Sequence, residues 1–196
     1  MPRPPKTRCA QMCAVLLLAT GMFAQESAQN PEADAKAAAV RAAFLFKFAS
    51  YLTNESPGPD PRKPPSEYRI GIVGDDATAA IAKKLLPGKK IGEARIVIVT
   101  ISADDAEAGR AASQCDILYI ATPIEDASLT KIVAAHASKP VPMVCERPGF
   151  AAAGGSIQLF VQGGGVRFEV NTSRLHEQKI KASSQLLRHS QPGPTQ

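Results

Sequence analysis

The residues that could do chemistry are few, and most explain themselves locally. There are three histidines, His136, His176 and His189. None is spaced with cysteine or carboxylate in the manner of a metal site, and each reads as a solvated or capping residue. Asp75-Asp76 and Asp104-Asp105 are paired acids. Both pairs fall at expected helix starts, where carboxylates suit the dipole and the free N–H groups. Gly88-Lys89-Lys90 lacks the upstream glycine and the hydroxyl residue of a phosphate-binding loop. Gly154-Gly155-Ser156-Ile157 is not a nucleophile elbow, so Ser156 is no candidate nucleophile. Gly74-Asp75-Asp76 closes a strand without a dinucleotide fingerprint; a strand-to-helix turn with an acidic cap is the simpler reading. No constellation makes an enzyme, and no cofactor is expected.

The elements that must carry these residues alternate. A helix is expected from about Asp34 to Leu52, rich in alanine and apolar at Val40, Phe44, Phe48 and Leu52. Five prolines between Pro57 and Pro65 mark a stiff loop. Strands follow at Tyr68–Gly74, Ala94–Ile101, Cys115–Ala121 and Pro142–Cys145. Helices separate them, from Asp75 or Asp76 to about Leu86, over Ala103–Ala112 and over Glu125–Ala137. Apolar runs such as Ile96–Val99 suit strands buried on both faces. The expectation is an α/β fold in three layers, a mostly parallel sheet flanked by helices.

The pattern changes at residues 154–171. Ser156–Val161 and Val166–Val170 read as an antiparallel hairpin turning at Gly163, Gly164 and Gly165. Short helices are expected at Thr172–Gln178 and Ser183–His189. Residues 190–196 read as a disordered tail.

The sequence has 196 residues and a formal charge of +5. Setting aside Arg3, Lys6 and Arg8 leaves +2, so the basic balance does not argue for nucleic acid. Residues 1–24 read as a secretory signal peptide, with a basic start, an apolar run from Cys9 to Phe23 and a cut after Ala24 or nearer Ala28. The alternative is an uncleaved anchor, for which the apolar run is short. Residues 25–33 form a polar leader, and residues 34–189 a single domain. The mature chain keeps Cys115 and Cys145. On neighbouring parallel strands these would sit at opposite ends of the sheet, on the order of 15 Å apart, so both are expected free.

Phe150, Gly154–Ile157, Val166–Asn171 and Ala182–Leu187 occur in order behind Ala43–Ala49, Ile72–Gly74 and Cys115–Ile120. Together they resemble the YfiR family of exported bacterial proteins, over roughly residues 38–189. The resemblance implies a non-enzymatic regulator in the periplasm. It would bind the periplasmic domain of a membrane-bound diguanylate cyclase and restrain cyclic-di-GMP synthesis, and with it biofilm formation. It also implies an outer-membrane lipoprotein as a second partner, and a homodimer. Some members carry a cysteine in the first strand paired with the counterpart of Cys115; here Gly71 stands there. The Trp-Pro that often follows the first helix is replaced by Leu52–Pro57.

Partner contacts are expected on Arg167, Glu169, Asn171 and Arg174. The alternative for Arg167 and Glu169 is a solvated edge that discourages strand pairing. A second function class is a periplasmic small-molecule-binding module, its ligand near Gly74, Thr122 and Glu146.

Overall fold

A computed structural model describes residues 31–55 and 66–194. The segment expected as a signal peptide, most of the expected polar leader and most of the proline-rich loop lie outside the described residues. Helix α1, Pro31–Tyr51, begins inside the segment expected as leader. Pro31 suits a first helical position because its missing N–H has no intrahelical partner there. The line α1 buries is Ala38, Ala42, Leu45, Phe48 and Ala49. Val40 and Phe44, expected in that stripe, are only half-buried. The alanines let the helix lie close to the sheet and turn the larger pair toward the hairpin side.

Strand β1, Leu52–Asn54, ends α1. Then come β2 (Glu67–Val73), α2 (Asp76–Leu85), β3 (Lys90–Ile91), β4 (Ala94–Ile101) and α3 (Ala103–Glu107). Gly109 adopts φ +72° and breaks the expected longer helix into α3 and a 3₁₀ turn, Arg110–Ser113. The chain continues through β5 (Ile117–Ile120), α4 (Asp126–Ala135), β6 (Met143–Cys145), β7 (Ile157–Gln162) and β8 (Gly165–Val170). It closes with α5 (Thr172–Glu177), β9 (Ile180–Ala182) and α6 (Ser184–Leu187). The hairpin turn needs only Gly163 (φ +59°) and Gly164 (φ +74°), while Gly165 pairs with Gln162 inside the sheet. A two-residue turn with both φ values positive matches the strand twist.

The main sheet has seven strands in the order β3-β4-β2-β5-β6-β7-β8. The pairs from β4 to β7 are parallel, and the outer pairs β3–β4 and β7–β8 are antiparallel. A separate antiparallel pair joins β1 to β9. Strand side chains alternate between two apolar layers. Ile70, Ile72, Ile117 and Tyr119 face α1 and α2, while Val73, Leu118 and Ile120 face α3 and α4. The fold is therefore the expected three-layer α/β arrangement.

Two expectations change. His136 closes α4 but is fully buried rather than solvated. Residues 190–194, expected as a disordered tail, bond to the sheet. Gln191 N–H donates to the Phe168 carbonyl (2.9 Å), Gly193 N–H to Glu169 (2.9 Å) and Gly149 N–H to the Pro194 carbonyl (3.0 Å).

Candidate functional site

From β2 the chain moves to β4 on one side, then returns to β5 on the other. This reversal opens a crevice beyond the carboxyl ends of β2 and β5, the place where open α/β sheets take ligands. Four polar side chains meet at this end of the sheet. Arg41 comes from α1, Asp75 follows β2, Tyr119 belongs to β5 and Glu146 follows β6. Arg41 donates to Glu146 through Nε (2.7 Å) and Nη2 (3.2 Å), a two-pronged carboxylate contact. Its Nη1 stands 3.7 Å from Asp75 Oδ2. The Tyr119 hydroxyl lies 3.5 Å from Glu146 Oε1.

Asp75 is chiefly a helix cap: it accepts from Thr78 N–H at 2.8 Å and from the Thr78 hydroxyl at 2.6 Å. The hydrogen bond to Glu146 raises the Arg41 pKa further above its ordinary value, so Arg41 is a fixed cation. Burial, then the Glu146 charge, raises the Tyr119 phenol, which stays a neutral donor.

Beside this cluster a groove of about 440 Å³ runs between α1 and the hairpin. Its walls are Ala37, Val40 and Phe44 on the helix and Leu159, Val161 and Val166 on the strands, with Lys36, Arg41 and Glu146 at its polar margin. Val161 is 75% exposed, unusual for a valine in a regular strand. Aromatic packing holds the Phe44 wall in place: Phe168 meets Phe44 at 6.2 Å between ring centres and Phe48 edge-on at 5.2 Å.

Of the residues expected near a ligand, Glu146 lines this groove and Gly74 and Thr122 do not. Gly74 makes a left-handed turn against Ile124. The Thr122 carbonyl accepts from Arg147 Nη2 (2.6 Å), part of a clasp that also holds the Ile124 carbonyl and Asp126. Arg41 was not singled out in the sequence. A lone arginine in an alanine-rich run looks solvated, and its partner lies 105 residues away.

The hairpin candidates separate in the same way. Arg167 is exposed on β8. Glu169 holds Gly193 N–H. Asn171 caps α5 by accepting from Arg174 N–H (2.9 Å) and donates to the Ala151 carbonyl (2.8 Å). Arg174 is a brace: it donates to the carbonyls of Gly154 (2.6 Å) and Ala137 (2.9 Å) and pairs with Glu177. Gly154 and Gly155 are structural. A Cβ on Gly154 would stand 2.7 Å from Arg174 Nη2, and one on Gly155 would stand 2.2 Å from the buried Phe150 ring.

At the other end of the sheet a polar cleft of about 500 Å³ is bounded by Glu67, Arg69, Cys115 and Asp116. Cys115 and Cys145 are both free and buried. Burial pushes their thiols up to about 12 and about 11, which leaves neither as a nucleophile at neutral pH. Ser156 is occupied too, accepting from Met143 N–H (3.0 Å) and donating to Gln178 Oε1 (2.9 Å). Among the described residues no group of three metal-ligating side chains comes together, and no helix is long and apolar enough to cross a membrane.

The family described as DUF4154, YfiR/HmsC-like, matches residues 38–191. No curated protein matches the chain. Among solved structures, a conserved domain protein from Vibrio cholerae O1 biovar El Tor str. N16961 aligns at 14% identity with a TM-score of 0.45. That alignment covers 65% of this chain and 54% of that one, so the chain spans about half its length.

Proposed function

The chain belongs to the YfiR/HmsC-like family, and from that premise we propose that it is an exported, non-enzymatic regulator of diguanylate cyclase signalling. In this reading it binds the periplasmic domain of a membrane-bound diguanylate cyclase and holds that enzyme in its less active state. A regulator of this kind needs only different affinities for two states of its partner. The observation that carries the reading is the family match across residues 38–191. A lipoprotein in the outer membrane would compete for the regulator and release the cyclase.

We assign the contact to the hairpin. Arg167 is its exposed charge, Glu169 flanks it, and Asn171 and Arg174 set its shape through the bonds described above. Deleting the gene should raise cellular cyclic-di-GMP, and the wild-type gene should restore it. Arg167→Glu should accumulate and melt like the wild type yet fail to restore repression. An unchanged cyclic-di-GMP level on deletion, with no membrane cyclase co-purifying, would contradict the proposal.

The groove supports a second reading, a sensor for a small amphipathic metabolite. Its walls are apolar, and Arg41 and Glu146 offer a cation and an acceptor at one margin. A metabolite panel read by melting temperature would identify such a ligand, and Arg41→Ala should abolish the shift. No shift across amino acids, organic acids and vitamins would remove this reading and leave the first one standing.

A further inference from the structure

Positive charge is concentrated at one corner of the molecule. Residues 83–90, Lys-Lys-Leu-Leu-Pro-Gly-Lys-Lys, hold four lysines and no acid. The chain beyond its first eight residues carries +2, so this stretch at +4 leaves everything else at −2. Helix α2 ends here and turns into β3, the first strand in the sheet order. The helix buries Ala79 and Ala82, Leu86 is buried just beyond it, and Lys83, Lys84 and Leu85 are exposed. Leu85 is 49% exposed. A lone exposed leucine needs no explanation, but this one stands inside a lysine cluster. A Cβ added to Gly88 or Gly92 would meet nothing within 4 Å, so the turns on either side of β3 stand clear.

Most of this charge is unopposed. Lys83 and Lys84 bond to no acid among the described residues, and Lys89 lies over the Phe46 ring at 5.4 Å. Lys90 stands 3.8 Å from Glu93, with both side chains exposed. Arg95, on the next strand, is held by Glu67 and adds nothing to the patch.

We propose that this corner docks the protein on an anionic phospholipid bilayer, with Leu85 entering the interface and the four lysines on headgroup phosphates. The residue types favour a lipid plane over a folded acidic partner. Acids at fixed positions are best gripped by the planar fork of arginine, whereas all four cations here are lysines, hydrated point charges on flexible stems that follow a mobile layer of charge. Their stems lie along apolar surface while the ammonium groups stay in water, and the leucine among them adds apolar burial to the attraction. One short cluster gives weak, reversible attachment that salt screens. β3 and β8 are opposite ends of the seven-strand order, six strand spacings or roughly 29 Å apart. Attachment through this corner therefore leaves the hairpin and the groove free, and it is independent of the regulatory reading.

Flotation of the protein, purified as the cell exports it, with lipid vesicles tests the proposal. Vesicles of about one-third phosphatidylglycerol in phosphatidylcholine, at about 50 mM salt, should bind it at least about tenfold better than phosphatidylcholine alone, and about 0.5 M salt should release it. Lys83→Glu with Lys84→Glu should lower binding at least about tenfold at an unchanged melting temperature, and Lys83→Arg with Lys84→Arg should retain it. Lys131→Glu, at an exposed position on α4 in the opposite layer, should change binding less than about twofold. Leu85→Ser should weaken vesicle binding about threefold yet leave binding to soluble polyglutamate unchanged, which separates the interface from simple charge attraction. Equal binding to both kinds of vesicle, equal losses for Lys131→Glu and the double glutamate variant, or retention by polyglutamate but not by vesicles would each overturn the proposal, the last in favour of an acidic protein.

Discussion

His136 Nε2 is a buried polar atom without a hydrogen-bond partner among the described residues. Its Nδ1 lies 2.9 Å from the Ile132 carbonyl, which assigns the proton to Nδ1 and leaves Nε2 as an unmet acceptor. Burial is the main cause that lowers its pKa below the ordinary 6.5. Below pH 6.5 the unfolded chain therefore takes a proton that the folded chain refuses. Stability should fall as pH drops from 7 to 5, by at most about 1.4 kcal/mol per pH unit from this group. His136→Leu should flatten that slope in urea unfolding at several pH values; an unchanged slope would mean that the histidine does not cause it.

Gly71 offers a second test at this scale. A Cβ there would stand 2.8 Å from Cys115 Sγ and 3.0 Å from its Cβ, and Ile101 Cδ1, at 2.6 Å, would have to rotate away. Gly71→Cys should therefore form a disulfide under oxidising conditions, leaving Cys145 as the one reactive thiol after denaturation. Three reactive thiols would place positions 71 and 115 farther apart than this sheet allows. That Cys115 and Cys145 lie toward opposite ends of neighbouring parallel strands was legible from strand direction alone. The Arg41–Glu146 pair was not, because nothing local links residues from the first helix and the loop after β6.

At the scale of elements, length decided what could be read. β2, β4, β5 and the hairpin are long enough to show an apolar run or an alternation, and their expected bounds lie within about two residues of those found; β6, with three residues, is marked only by its wholly apolar Met143-Val144-Cys145. β1, β3 and β9 have two or three residues each, too few for any periodicity, and they exist because tertiary pairing supplies their partners. The tail was misread for a different reason. Its prolines and glycine look disordered, yet a proline carbonyl accepts as well as any other, and Pro194 accepts from both Gly149 N–H and Gln158 Nε2. Ending the chain at His189 removes these bonds and the cover on β8. We expect a loss of about 1–3 kcal/mol in stability and faster amide exchange at Phe168–Val170. Unchanged unfolding and exchange would show the tail to be dispensable.

At the scale of the whole molecule, the doubly wound sheet with its hairpin leaves, among the described residues, the groove that Arg41 and Glu146 border and the outward face of β8 open to a partner or ligand. The fold class was readable because helix and strand alternate with buried strand composition, and the family because its residues recur in order from α1 to α6. What regulates the protein was not readable, because a contact surface carries no motif of its own. Restraint of a cyclase requires physical contact with it, and calorimetric titration of the protein with the purified periplasmic domain of that cyclase tests for the contact. Saturable binding is expected at about micromolar Kd or tighter, weakened at least about tenfold by Arg167→Glu. Absence of binding at concentrations up to about 100 μM would contradict it.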